Sequence, residues 1–398
     1  MVLTRRKVAK KGDEQSMKIC FVHEEYPNET NFGGIATYQK IIAEYYANHG
    51  DEVTVIARGS KDVDYYENNV HVYRVKSEND TNSIESVTEY REKVAKLLFS
   101  LQQEGAIDII ETPDWGANTI LFEKNRKVPI VVRLHTPLKI WLNYNNNDFG
   151  KTKDLMLEWE NNMLNKANVL TSCSQLLKDM IIKEYEIKKD IIVIPNPCNI
   201  KSFKNNQSIP NNDLIFVGSL EERKGIITLA KALNKVFKTV KNSKIYLVGK
   251  DTKRNNKNIS TKEYILDIID KEYHNRIEFV GQVDNDRVND YLNKANLAIF
   301  PSLFDNYPYV VLEAMAAGKN ILMSNNIGCL DILDSSNYIF ESGNEDDLAK
   351  KILKFYSDMK DYINKNNIKN VKKECSPQKI CSKMKNIYEK AIKEYNEK

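Results

Sequence analysis

No apolar run in this 398-residue chain approaches the roughly 18 residues that a membrane-crossing helix needs, and its mean hydropathy is −0.53, so a transmembrane span is excluded. The six cysteines, at 20, 173, 198, 329, 375 and 381, show no C-x-x-C spacing and read as reduced thiols of a cytoplasmic protein. Cys198 and Cys329 fall within motifs described below, but neither has a histidine partner in the sequence that would suggest a catalytic thiol. The five histidines are scattered and form no His/Asp ligand set, so no metal and no other cofactor is expected. A G-x-G-x-x-G dinucleotide fingerprint is missing as well. With a net charge of only +4 and no basic stripe interleaved with aromatics, nucleic-acid binding is not expected either. Met1–Ser16 is basic but lacks an apolar segment, so it reads as a disordered tail and not as a secretory signal.

What the chain does contain is a repeated strand-then-helix pattern. Strands are predicted near Met17–His23, Glu52–Ala57, Val70–Val75, Ile107–Glu111, Val128–Leu134, Asn168–Ser172 and Ile191–Ile194, with helices such as Ile35–His49 and Ile84–Glu104 between them. A polar stretch, Lys204–Asn212, reads as a linker, after which strands resume at Leu214–Gly218, Lys244–Gly249, Arg276–Gly281, Asn296–Pro301 and Asn320–Ser324. The expectation is an α/β protein of two doubly wound parallel-sheet domains, 17–200 and 201–376, facing a deep cleft, with residues 1–16 as a tail. The second half is the more basic one, with 33 basic and 26 acidic residues against 26 and 29 in residues 1–200.

Four loops at predicted strand ends carry the chemistry. In Pro301–Gly318, Asp305 and Glu313 lie eight residues apart, the first beyond a strand and the second in the following helix. An N-cap role for Asp305 and a solvated first-turn role for Glu313 would also fit. Upstream, Leu214–Gly225 runs from a strand through Gly218 to Arg223 and Lys224 at the start of a helix. A helix N-terminus with a guanidinium and an ammonium suits a diphosphate. In the first half, Gly33 and Gly34 open an amphipathic helix after the first strand, where backbone amides can approach an anion. His135 follows the apolar strand Val128–Leu134 into a Thr136-Pro137 turn.

These loops together resemble the retaining glycosyltransferases of family 4, the glycosyl transferases group 1, which have the GT-B fold of two Rossmann-like domains; the resemblance covers nearly the whole chain. It implies transfer of a sugar from a nucleotide-sugar donor, such as UDP-glucose or UDP-GlcNAc, to a hydroxyl acceptor. It implies catalytic roles for Arg223, Lys224, Asp305 and His135, and donor contacts from Gly33, Gly34, Gly218, Gln282, Val283, Asn306, Tyr307, Pro308, Tyr309 and Glu313. Asp114, Trp115, Arg133 and Thr136 are placed on the acceptor side, and the last helix, 377–398, is expected to cross back to the first domain. Departures from the family pattern are Asp305 where Glu is usual, Asn196-Pro197 for Asn-Gly, and Gly328-Cys329 for a double glycine.

A GT-B sugar-nucleotide epimerase and a non-catalytic sugar-binding protein are the competing readings. An epimerase would call for more acid and base groups around the sugar. The Asn-rich segment Trp141–Gly150 is expected to be a mobile loop near the cleft that selects the acceptor, either a cell-surface glycan or a small aglycone. Cytoplasmic location follows, with peripheral contact at the inner membrane face if the acceptor is lipid-linked. The sequence carries no signal for oligomeric state.

Overall fold

In the computed structural model the described residues are 16–27, 29, 33–78, 80–144, 150–200, 203, 212–253, 259–358 and 363–397. The tail 1–15, most of the polar stretch 204–212 and the Asn-rich residues 145–149 lie outside them, so those three expectations concern segments not described.

The first sheet holds β1 (Lys18–Val22), β2 (Glu52–Gly59), β3 (Val63–Glu67), β4 (Val70–Lys76), β5 (Ile109–Pro113), β6 (Ile130–Leu134), β7 (Val169–Ser172) and β8 (Ile191–Val193) in the order β3-β4-β2-β1-β5-β6-β7-β8. β5 and β6 are buried along their whole length, because helices cover both faces of a parallel sheet and leave no solvent side. Every pairing is parallel except β3 with β4, an edge hairpin that sequence reading missed. Its two-residue turn, Asn68-Asn69, has φ of 48° and 67°, the left-handed pair that matches hairpin twist and that asparagine tolerates.

The second sheet is parallel throughout: β9 (Leu214–Val217), β10 (Ile245–Val248), β11 (Ile277–Gly281), β12 (Leu297–Phe300), β13 (Asn320–Ser324) and β14 (Tyr338–Phe340), ordered β11-β10-β9-β12-β13-β14. In each sheet the strand order reverses at one place, between β1 and β5 and between β9 and β12. Open α/β sheets bind ligands at the carboxyl ends of strands flanking such a reversal. The loops that leave these four strands are those after Val22, Pro113, Val217 and Phe300.

The helices that bear on the site are α1 (Gly34–Asn48), α2 (Ile84–Gln103), α3 (Leu138–Tyr144), α4 (Lys153–Lys166) and α5 (Gln175–Tyr185) in the first half. In the second half come α6 (Ile226–Thr239), α7 (Thr261–Ile268), α8 (Asn285–Leu292), α9 (Tyr309–Ala316), α10 (Glu345–Ser357) and α11 (Lys365–Cys375). The last helix, α12 (Pro377–Asn396), starts with Pro377 in its first turn, where a missing N–H costs nothing. It packs on the first domain, burying Ile380, Cys381, Met384, Tyr388 and Ala391 in one cluster with Ile19, Ile42 and Tyr46. Burial of Ile380 and Met384 is worth about 1.5–3 kcal/mol each. Polar contacts set its register: Tyr388 Oη donates to Glu111 Oε2 at 2.5 Å, and Tyr46 Oη to the Cys381 carbonyl at 2.7 Å. None of the helices among the described residues is long and apolar enough to cross a membrane.

Candidate active site

The loop after β9 turns through a short 3-10 segment, Glu222–Lys224, before α6 begins at Ile226, so Arg223 and Lys224 precede the helix instead of lying in it. Gly225 makes the junction at φ 71°, and a Cβ there would lie 1.7 Å from the Pro301 carbonyl oxygen. Only glycine lets this turn press against the end of β12. That contact brings the two motif loops together: Lys224 Nζ lies 2.5 Å from Asp305 Oδ2. Burial pushes the Asp305 carboxyl up, but Lys224 and then Arg223 outweigh it and hold the group below the usual aspartate value. Arg223 itself donates to Glu221 Oε1 at 2.8 Å and to the Phe304 carbonyl at 3.2 Å.

Asp305 does not cap the next helix, whose N-cap is Pro308. Its backbone is instead tied to the loop after β13, donating to the Asn326 carbonyl at 3.2 Å and accepting from Gly328 N–H at 2.9 Å. Glu313 lies in the second turn of α9 and is half-buried, which rules out the solvated first-turn role. Its carboxylate has no polar partner among the described residues, and burial raises it to about 7. A carboxylate left unpaired in this way is poised to accept hydroxyl protons from a ligand.

Across from these groups stands His135, buried against Tyr38 with ring centroids 5.2 Å apart in an edge arrangement. Burial, with Arg133 and His23 nearby, holds its ring well below the ordinary histidine range, so it is neutral. Among the described residues the ring has no hydrogen-bond partner. Its amide donates to both carboxylate oxygens of Asp114, at 3.1 and 3.0 Å, and Asp114 Oδ1 also accepts from Trp115 N–H at 2.9 Å.

Two acceptor-side expectations need correction. Asp114 is fully buried and spent on the His135 and Trp115 amides; it shapes the His135 loop and does not face an acceptor. Arg133 is buried too, donating to Ile194 O at 2.7 Å and Asn196 Oδ1 at 3.0 Å, with its guanidinium 4.8 Å from the Tyr38 ring centroid. It braces the segment Ile194–Asn196 that follows β8. Trp115 is half-buried edge-on to Trp141, their centroids 6.0 Å apart. Thr136 accepts a hydrogen bond from the Asn306 amide of the opposite domain.

The remaining donor-side candidates divide. Gly33 is the extended N-cap of α1, close under Glu25, and Gly34 faces the Tyr309 ring. Gly218, Gln282 and Val283 lie in loops leaving β9 and β11, with Gln282 exposed. Tyr307 is buried, its hydroxyl 3.6 Å from Cys375 Sγ and its carbonyl accepting from Asn196 Nδ2 at 3.2 Å; the ring is a packing element and not an open donor contact. The Tyr309 hydroxyl is buried without a hydrogen-bond partner among the described residues. Trp141–Tyr144 belong to α3, not to a loop, and Tyr144 stacks on Phe304 across the domains at 4.6 Å. The cleft between the domains is therefore narrow here, bridged by Asn306–Thr136, Asn196–Tyr307 and Tyr144–Phe304. No group of three or more His, Cys, Asp or Glu residues suited to holding a metal occurs among the described residues.

Two family models match successive stretches of the chain: Glycosyltransferase Family 4 over residues 32–202 and Glycosyl transferases group 1 over residues 199–374. An uncharacterised glycosyltransferase of Methanocaldococcus jannaschii is 26% identical over 94% of this chain and 99% of its own length. Among solved structures, sucrose-phosphate synthase from Thermosynechococcus elongatus superposes with a TM-score of 0.77 at 19% identity, covering 94% of this chain and 98% of that one. HepE of Anabaena, crystallised with UDP-glucose, superposes with a TM-score of 0.70 at 17% identity over 94% of this chain and 100% of its own.

Proposed function

Because the chain belongs to the family 4 glycosyltransferases and has the GT-B fold, we propose that it is a retaining hexosyltransferase moving a sugar from a UDP-hexose to a hydroxyl acceptor. The observation that carries this reading is the Lys224–Asp305 pair at the carboxyl edge of the second sheet, with Glu313, whose carboxylate has no polar partner among the described residues, eight residues further on in α9. Cleavage of the bond between the sugar C1 and the diphosphate oxygen leaves extra negative charge on the diphosphate. Lys224 and Arg223 would meet that charge, and such preorganised cations are worth several kcal/mol in a transition state. Asp305 would hold the sugar hydroxyls and Glu313 the ribose hydroxyls. The new bond joins C1 to the acceptor oxygen on the same face, and the departing phosphate oxygen takes the acceptor's proton. No protein base is then required. With two cations already at the diphosphate, the transfer is proposed to run without a divalent metal.

UDP is favoured as the nucleotide because HepE, with which the chain shares its fold, was crystallised with UDP and with UDP-glucose. The test is incubation with UDP-, GDP- and ADP-sugars and a panel of hydroxyl acceptors, with the anomeric configuration of the product read by NMR. Acceptor-dependent release of UDP with a retained anomeric centre supports the reading. Inversion, or interconversion of sugar nucleotides without transfer, would overturn it.

A further inference from the structure

Asn306 follows Asp305 and reaches across the cleft, its Nδ2 donating to Thr136 Oγ1 in the opposite domain. The orientation of that amide follows from the proton count on Thr136. The threonine hydroxyl gives its one proton to the His135 carbonyl at 2.6 Å, so toward Asn306 it can only accept. The amide nitrogen must therefore face Thr136, which turns Oδ1 away. That oxygen is buried and has no hydrogen-bond partner among the described residues. Leaving a buried acceptor unmet costs about 1–3 kcal/mol, and such an orphan in a native site calls for an explanation.

The backbone on both sides of this contact is held in place. Gly328 packs so closely that a Cβ there would lie 1.8 Å from the Asn306 carbonyl oxygen and 2.5 Å from Ser174 Oγ, again across the domains. On the other side, the Asp114 carboxylate fixes the His135 amide, and with it the turn that presents Thr136. Both halves of the contact are thus mounted on rigid backbone, one in each domain, next to the Lys224–Asp305 pair.

We propose that Asn306 and Thr136 form a latch that couples recognition of the donor sugar to closure of the two domains. The Nδ2 atom of Asn306 holds the first domain through Thr136, and its Oδ1 accepts a proton from a hydroxyl of the donor sugar. Bound sugar satisfies the orphan oxygen only when the amide is in the latched orientation, so it favours the closed arrangement. A nucleoside diphosphate without a sugar leaves that oxygen unmet and gives no such bias. Thr136 is on this account a positioning residue that acts through Asn306, not an acceptor contact.

The inference rests on the donor reading above for its sugar half only, and the test separates the two. A nitroxide pair on Glu104→Cys and Lys350→Cys, both exposed and one in each domain, reports interdomain distance by pulsed EPR without ligand. Thr136→Val should broaden that distribution and Thr136→Ser should restore it, because serine keeps the accepting oxygen. Calorimetry then compares UDP with UDP-glucose. Thr136→Val should leave UDP affinity within about twofold while weakening UDP-glucose about three- to tenfold, the loss of one hydrogen bond. An unchanged distance distribution in Thr136→Val overturns the latch, and equal weakening of both ligands overturns its coupling to the sugar. A wild-type chain that binds neither probe overturns the sugar half together with the donor reading, while the distances still decide the latch.

Discussion

The ammonium of Lys224 lies 2.5 Å from the carboxylate of Asp305, although 81 residues separate them in sequence. Each comes from a loop that leaves one of the two strands at the reversal point of the second sheet, and Gly225 lets those loops meet. The pair sets cation and carboxylate side by side where the diphosphate and the sugar of a donor would adjoin.

Lys224→Ala and Arg223→Ala should each lower transfer by roughly a hundredfold, the usual scale for losing one preorganised charge in a transition state. Comparable losses are expected, because each cation is already paired with one carboxylate, Lys224 with Asp305 and Arg223 with Glu221. Steady-state kinetics on folded variants check this, and unchanged turnover in either removes that residue from the site.

Glu313→Gln should weaken UDP binding by about 1–3 kcal/mol, the range for a charged hydrogen bond lost, and yet stabilise the ligand-free protein at pH 8. Burial raises the carboxyl from its ordinary value of 4.5 to about 7 in the folded state. A raised acid contributes stability that is complete below pH 4.5 and is lost as pH rises to about 7, so the wild type carries a penalty above that window that glutamine lacks. Thermal melts of both proteins from pH 5 to 8 should diverge as pH rises; parallel curves would contradict the assignment.

For His135→Ala, turnover should fall while UDP affinity stays nearly intact, since the second domain holds the nucleotide in the proposed complex. Because burial keeps the ring neutral, the pH–rate profile of the wild type should show no histidine ionisation between pH 6 and 8. An inflection in that range that disappears in the variant would show that the ring does titrate.

Asp114→Asn tests the positioning of the His135 turn. The carboxylate accepts from two backbone amides, and an asparagine offers one oxygen and a nitrogen that would confront an N–H. Stability should drop by about 1–3 kcal/mol and turnover should fall with it. Denaturant melts and kinetics measure the two, and a variant equal to wild type in both would return Asp114 to an unassigned role.

Gly225→Ala and Gly281→Ala should behave very differently although both have positive φ. At Gly281, φ is 80° with nothing within 4 Å of an added Cβ, so the cost is the left-handed backbone alone, about 1–2 kcal/mol. At Gly225 the Cβ would lie 1.7 Å from the Pro301 carbonyl oxygen, and the motif loops would have to part. Soluble yield and activity should survive the first substitution and collapse with the second.

The parallel sheets and their helices were legible in the sequence because hydrophobic periodicity and strand-end glycines are local properties. Asp305, Lys224 and His135 stand out for the same reason, each lying in the loop past an apolar strand, and Glu313 stands out by its eight-residue spacing from Asp305. The β3–β4 hairpin went unread even though Asn68-Asn69 is a local turn signal, because β3 has charged and tyrosine positions instead of an apolar run. What sequence spacing could not reveal is which polar groups are spent inside the protein. Asp114 and Arg133 have the residue types of a ligand site, and only the packing of the His135 turn and of Ile194–Asn196 around them determines that their hydrogen bonds go to backbone amides, carbonyls and Asn196. The pairing of Asn306 with Thr136 is tertiary in the same sense: 170 residues apart in the chain, they meet because two separate sheets present their carboxyl edges to each other, a relation carried by no local pattern.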